Sequence, residues 1–89
     1  MEVIHDKNNS RFVIRIDGEE SFVEYSLYEN VMELYHTYTP PQLRGKGLAE
    51  KVVRTALEYA KQNNLKVVPS CSYVAVFLQR HPEYSELKE

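Results

Sequence analysis

The residues best suited to chemistry lie in PPQLRGKGLAEKVVR, positions 40–54. Gly45 and Gly47 stand one residue apart, so the backbone there can turn tightly and come close to a ligand. A helical pattern starts at Leu48, and the loop therefore delivers the chain onto a helix N-terminus. The first amides of a helix are unpaired and carry the positive end of its dipole, which makes them a ready anion site. Local charge agrees: between Gln42 and Arg54 there are four cations (Arg44, Lys46, Lys51, Arg54) and one anion (Glu50), in a chain of net charge −2. A basic island on a helix start suggests a phosphate-bearing ligand. The segment is not a GxxxxGK[ST] loop, and it is not a GxGxxG fingerprint, because Glu50 stands three residues after Gly47. Taken as a bare Gly-x-Gly, the same residues also describe a flexible turn into a basic helix.

Other chemistry-bearing residues are few. Cys71 is the single cysteine, which excludes an intrachain disulfide and a cysteine-based zinc cluster. Tyr25, Tyr28, Tyr35 and Tyr38 form a tyrosine-rich region. They read as half-packed sheet residues rather than a nucleobase platform, since few cations accompany them.

The elements that must position these residues change character at Pro40-Pro41. Before it, Phe12, Ile14 and Ile16 alternate with Val13 and Arg15, and Val23, Tyr25 and Leu27 share a face. Asp17-Gly18 and Glu29-Asn30 read as tight turns. In VMELYHTYT, strict alternation puts Met32, Leu34, His36 and Tyr38 on one face, with Glu33, Tyr35 and Thr37 on the other. EVIH at the start reads as a further strand at the sheet edge. After the prolines, Leu48, Val52, Ala56 and Ala60 recur at i, i+4, giving an amphipathic helix of about four to five turns. Glu50 and Arg54 form an i, i+4 pair on it, and Asn63-Asn64 is its stop. LKVVPSC reads as a buried strand and SYVAVFLQR as a second short helix, with Ser70 and Ser72 available to cap it. The tail PEYSELKE is expected to pack little. The order β-β-β-(β)-α-β-α implies an α+β domain: an antiparallel meander, then a parallel β-α-β crossover and a C-terminal helix, in one mixed sheet.

The whole chain, 89 residues and 10.4 kDa, reads as one domain over residues 1–89. Its composition is that of a globular protein, 43% hydrophobic and 27% charged. No apolar run approaches the ~20 residues that span a bilayer, and the polar N-terminus is no signal peptide. A cytoplasmic address is the default expectation. The net charge gives no case for nucleic acid or an anionic membrane.

Arg44-Gly45-Lys46-Gly47-Leu48-Ala49, with the preceding Pro-x-x-Arg-Gly spacing, resembles the Gln/Arg-x-x-Gly-x-Gly/Ala signature of the GCN5-related N-acetyltransferases. Pro40 to Glu89 looks more narrowly like the small single-domain branch, the YjdJ-type N-acetyltransferase-domain proteins. These carry a histidine at the strand end before the loop, here His36-Thr37, and a Cys-Ser-aromatic after the next strand, here Cys71-Ser72-Tyr73. With the β-β-β-loop-α-β-α order, the likeness covers nearly the whole chain.

The resemblance implies a minimal fold of that superfamily and acetyl-CoA as cosubstrate. The pyrophosphate would be cradled by backbone amides, with cofactor contacts at Tyr38, Thr39, Leu43, Arg44, Gly45, Lys46, Gly47, Leu48 and Ala49. His36 would border the thioester and take the proton of an attacking amine; alternatively it is a hydrogen-bonded sheet histidine. Glu33 competes for the base role from the opposite face. Cys71 would stand in the gap between diverging strands: as half of a Cys-His nucleophile pair, as a wall residue, or as a small buried thiol. Tyr73 would protonate the leaving thiolate, or simply pack. Full-sized members carry extra N-terminal helices that build the acceptor pocket. Here the chain opens with sheet, so the acceptor side is expected to be truncated or completed by a partner. The expected function is acetyl transfer by direct attack to an amine on a small molecule or a protein. The alternatives are a non-catalytic CoA-binding module and an interaction domain whose basic loop meets an acidic partner. An edge strand makes a monomer or weak homodimer the expected state.

Overall fold

The computed structural model describes residues 2–89. Five strands form one sheet in the order of the chain: β1 (Ile4–Asp6), β2 (Arg11–Ile16), β3 (Glu19–Tyr28), β4 (Val31–Tyr38) and β5 (Lys66–Pro69). The first four pair antiparallel, and β5 lies parallel to β4. That parallel pairing requires a crossover, supplied by helix α1 (Leu48–Gln62). Helix α2 (Ser72–Arg80) and a 3₁₀ segment (Pro82–Leu87) complete the α+β architecture read from the sequence. No helix among the described residues is long and apolar enough to cross a membrane.

Local chemistry explains the joints. Asp17 and Gly18 both adopt positive φ, 51° and 81°, the geometry of a two-residue hairpin turn that follows the strand twist. Glu29 sits at φ 55° in the next turn. Asn63 caps α1, and Asn64, at φ 56°, turns the chain toward β5.

The core lies on one face of the sheet. Leu48, Val52, Val53, Ala56, Leu57 and Ala60 of α1 pack on Phe12, Ile14, Val23, Tyr25, Met32 and Leu34. Val74, Phe77 and Leu78 of α2 join the same cluster. The C-terminal tail is part of it too, contrary to the expectation that it packs little. Tyr84 is 2% exposed, its hydroxyl donates to Glu58 at 2.6 Å, and the Glu89 amide donates to the Val67 carbonyl at 3.1 Å. The physical reason is the free side of β5, whose backbone needs partners that the tail supplies.

One irregularity in β4 matters for function. Tyr25 pairs with Leu34 and Glu24 with His36, so Tyr35 is an extra residue, a β-bulge. The bulge resets the alternation. Met32 and Leu34 face the core, but beyond Tyr35 it is Thr37, opposite buried Val23, that faces that side. His36 and Tyr38 are turned to the open face, where Phe22 meets them at ring-centroid distances of 5.9 and 5.8 Å. The expectation that His36 shares a face with Leu34 is therefore corrected, and so is the separation of His36 from Glu33: both stand on the open face.

Candidate functional site

The loop between β4 and α1 is held from three sides. The Leu43 and Arg44 amides donate to the Pro40 and Pro41 carbonyls at 2.9 and 3.2 Å, closing a tight turn. The Arg44 Nε donates back to the Thr39 carbonyl at 3.0 Å. Thr39 in turn shares a 2.7 Å hydrogen bond with Ser21, whose side chain is fully buried. Gln42 reaches Glu19 at the β2–β3 turn.

So anchored, the backbone passes through two left-handed residues, Gly45 at φ 84° and Gly47 at φ 75°. Gly47 is the N-cap of α1 and offers no side chain to the first turn. The first helical bond runs from Lys51 to the Gly47 carbonyl at 3.3 Å, which leaves the amides of Leu48, Ala49 and Glu50 without intrahelical acceptors. The amides of Gly45, Lys46 and Gly47 also have no protein acceptor among the described residues. All of these residues but Lys46 line a groove of about 410 Å³, together with Thr39, Leu43, Arg44 and Tyr73. A run of free donors at a helix start is what an extended diphosphate requires.

The basic island is smaller in space than in sequence. Arg54 is committed to Glu50 at 3.1 Å and Glu83 at 3.7 Å, and it lies over the Phe77 and Tyr84 rings. Arg44 and Lys46 remain beside the glycines, Arg44 with one nitrogen already used. Glu50 borders the groove with its carboxylate tied to Arg54.

Beyond the loop, the two parallel strands part. Their pairing ends at Leu34 with Pro69, and the last link is the Cys71 amide donating to the Leu34 carbonyl at 3.0 Å. β4 continues to Tyr38 without β5 beside it. Cys71 caps the start of α2 at this divergence. Its Sγ lies 3.4 Å from the Thr37 hydroxyl. Burial pushes the thiol pKa up; the Thr37 hydroxyl and the amides of Val74, Tyr73 and Thr37 outweigh that, and the net position is below the ordinary value. The Cys71 side chain makes no capping hydrogen bond to the first turn of α2. Tyr73, on the first turn of α2, lines the groove. Burial, then the Glu50 carboxylate, raises its phenol above the usual range, with Arg80 opposing, so it keeps its proton at neutral pH.

The expected site residues thus divide. Thr39, Leu43, Arg44, Gly45, Gly47, Leu48, Ala49 and Tyr73 converge on one groove, and Lys46 sits in the same loop without lining it. His36 and Tyr38 stand on the opposite sheet face, 39% of Tyr38 being exposed. The partner of Cys71 is Thr37, and no Cys-His pair is formed. Ser70 hydrogen-bonds Glu33 instead of capping α2. Thr37, beside Cys71, and Glu50, on the groove, are not among the site residues expected from the sequence. The signal for Thr37 would have been a bulge at Tyr35, and no glycine marks one there.

Against known proteins, residues 11–87 match the family model described as GCN5-related N-acetyl-transferase. This chain belongs to that family. Among its relatives is Protein NATD1 of Danio rerio, 32% identical over 92 residues, covering 97% of this chain and 83% of that protein. Protein NATD1 of Homo sapiens is 26% identical over 85 residues, covering 92% and 75%. A GCN5-like protein from Staphylococcus aureus, solved by NMR, superposes with a TM-score of 0.77 at 25% identity, over 99% of this chain and 87% of its own. The minimal GCN5-related sheet, with β4 and β5 parallel around α1, is therefore the fold of this family member.

Proposed function

We propose that this protein is an acetyl-CoA-dependent N-acetyltransferase that passes an acetyl group directly to an amine. The observation that carries the reading is the set of free amides from Gly45 to Glu50 beside a groove lined by Thr39, just past β4, and by Tyr73, on the first turn of α2. The fit is chemical: an anionic diphosphate meets donors that have no other acceptor, with Arg44 and Lys46 beside them. Bound acetyl-CoA supplies an acyl thioester, which is activated toward amines.

The roles of the chain's own groups follow from their sides of the sheet. The loop amides bind the diphosphate and fix the direction of the acyl arm. Tyr73, kept protonated, holds a proton beside the groove for the departing sulfur. Thr37 and Cys71 wall the gap. His36 stands on the open face and takes the proton of an amine arriving there, while Glu33 is engaged by Ser70. Donor and acceptor then approach the divergence from opposite faces, which keeps both in line with the reacting carbonyl.

The open sheet face also supports a second reading, a CoA-binding or interaction module without turnover, since the acceptor side has no covering element among the described residues. Amide NMR titration with acetyl-CoA and an acetylation assay over a panel of amines separate the two. Shifts at Arg44–Ala49, together with turnover that His36→Ala lowers by about 10²-fold, support the transferase. Binding without turnover on any amine leaves the module. Unmoved loop amides at millimolar acetyl-CoA sink the transferase and the CoA-binding module and leave only an interaction domain.

A further inference from the structure

Glu50 occupies the third position of α1, where an acid commonly reaches back to the amide of the N-cap residue and closes the helix start on itself. That amide belongs to Gly47, and it has no protein acceptor among the described residues. The Glu50 carboxylate is engaged one turn further along instead, accepting from the Arg54 Nη2 at 3.1 Å. Glu50 is the one acid lining the groove. Released from Arg54, its carboxylate would compete with any anionic ligand for the first amides of α1 and would repel that ligand as well.

Arg54 is itself held. Its guanidinium lies over the Phe77 ring at 5.4 Å and the Tyr84 ring at 5.9 Å. Nη1 reaches the Glu83 carboxylate at 3.7 Å and the Tyr84 hydroxyl at 3.4 Å. Tyr84 is fixed in turn by donating to Glu58 at 2.6 Å. An i, i+4 ion pair on a helix surface is weak by itself, because forming it orders two long side chains. In this chain α2 and the C-terminal segment order Arg54 independently, so only Glu50 has to be recruited.

We propose that Arg54 is a positioning residue: held by α2 and the C-terminal segment, it keeps the Glu50 carboxylate off the Gly47 amide and leaves the start of α1 open to an anionic ligand. The proposal deepens the donor reading and rests on it for the identity of that ligand, whereas the placement of Glu50 belongs to the free protein.

The test combines solvent-exchange NMR of the ligand-free full chain with calorimetry against acetyl-CoA, for the unaltered protein, Arg54→Met, Glu50→Ala and the double variant. Methionine keeps an unbranched apolar stem against the Phe77 and Tyr84 rings while removing the guanidinium. In the unaltered protein the Gly47 amide should exchange as an unprotected amide does. In Arg54→Met its exchange should slow severalfold as Glu50 folds back, and acetyl-CoA should bind roughly threefold to tenfold more weakly. Made in Glu50→Ala, the same substitution should change each readout by no more than about twofold. Arg54→Lys still reaches Glu50 at i, i+4 and should restore most of the affinity. A helix start that had merely loosened would speed Gly47 exchange, so the slowing is a sign that a purely structural role does not produce. The proposal is overturned if Gly47 is protected in the unaltered protein, a measurement that needs no variant to fold. It is equally overturned if Gly47 exchange does not slow in Arg54→Met, or if the loss of affinity persists in the Glu50→Ala background. Should acetyl-CoA leave the Gly45–Ala49 amides unmoved, the transferase reading falls, and the exchange measurements by themselves still decide whether Arg54 restrains Glu50.

Discussion

Gly47 concentrates several demands in one residue. At φ 75° it ends the loop, caps α1 and exposes the amides that follow. An added Cβ would meet no atom within 4 Å, so the cost of a side chain is backbone strain alone. Gly47→Ala is expected to lower stability by about 1 kcal/mol in urea unfolding, and to weaken acetyl-CoA binding by more than that strain accounts for, because relaxing φ re-aims the amides. Thr37 offers a second residue-level test. Its hydroxyl helps hold the Cys71 thiol below its ordinary pKa against the opposing effect of burial. Thr37→Val should therefore move the pH midpoint of Cys71 alkylation by iodoacetamide upward, and Thr37→Ser should return it. An unmoved midpoint in Thr37→Val would show that the amides at the start of α2 alone set the thiol.

At the scale of elements, β1 is held by an aromatic cage. The His5 Nε2 lies 2.7 Å from the Tyr25 hydroxyl, and the ring stacks on Phe12 at 4.0 Å and meets Tyr59 of α1 edge-on at 4.6 Å. Burial, then Lys7, lowers the His5 pKa from 6.5, with Asp6 opposing. The folded state thus prefers neutral His5, and the unfolded chain binds the proton first. The stability from this packing is complete above about pH 6.5 and is lost as pH falls through the lower folded value. Urea midpoints measured across that window should fall with acidification in the unaltered protein and fall less in His5→Gln. Equal slopes would remove His5 as the cause.

Over the whole molecule, the tail closes what the sheet leaves open. Tyr84 connects α1 to the C-terminal segment through Glu58 and Arg54, and Glu89 bonds the free side of β5. Tyr84→Ala should cost about 3 kcal/mol, read as a lower urea midpoint with an unchanged slope. A loss below about 0.5 kcal/mol would return the tail to the loosely packed segment that its polar sequence suggests. That reading fails because Glu-Tyr-Ser-Glu looks solvated on composition, whereas one buried aromatic ring and a few backbone bonds are enough to dock it.

Much of the fold is legible without coordinates. Alternation around Asp17-Gly18 and Glu29-Asn30, the i, i+4 apolar row from Leu48 to Ala60 and the break at Pro40-Pro41 are local signals, each set by short-range sterics and the burial of one face. They fix the order of elements, and with it the strand–loop–helix junction that carries Gly45 and Gly47. Facing directions near the divergence of β4 and β5 are another matter. A single extra residue, Tyr35, reverses every side chain after it, so Thr37 takes the place beside Cys71 that alternation assigns to His36. Bulges answer to how β3 and β4 register and twist together, a property of two strands in contact that neither strand's own residues encode. The same holds for Arg54: the pair with Glu50 is local and legible, but its other partners, Glu83 and Tyr84, come from the far end of the chain.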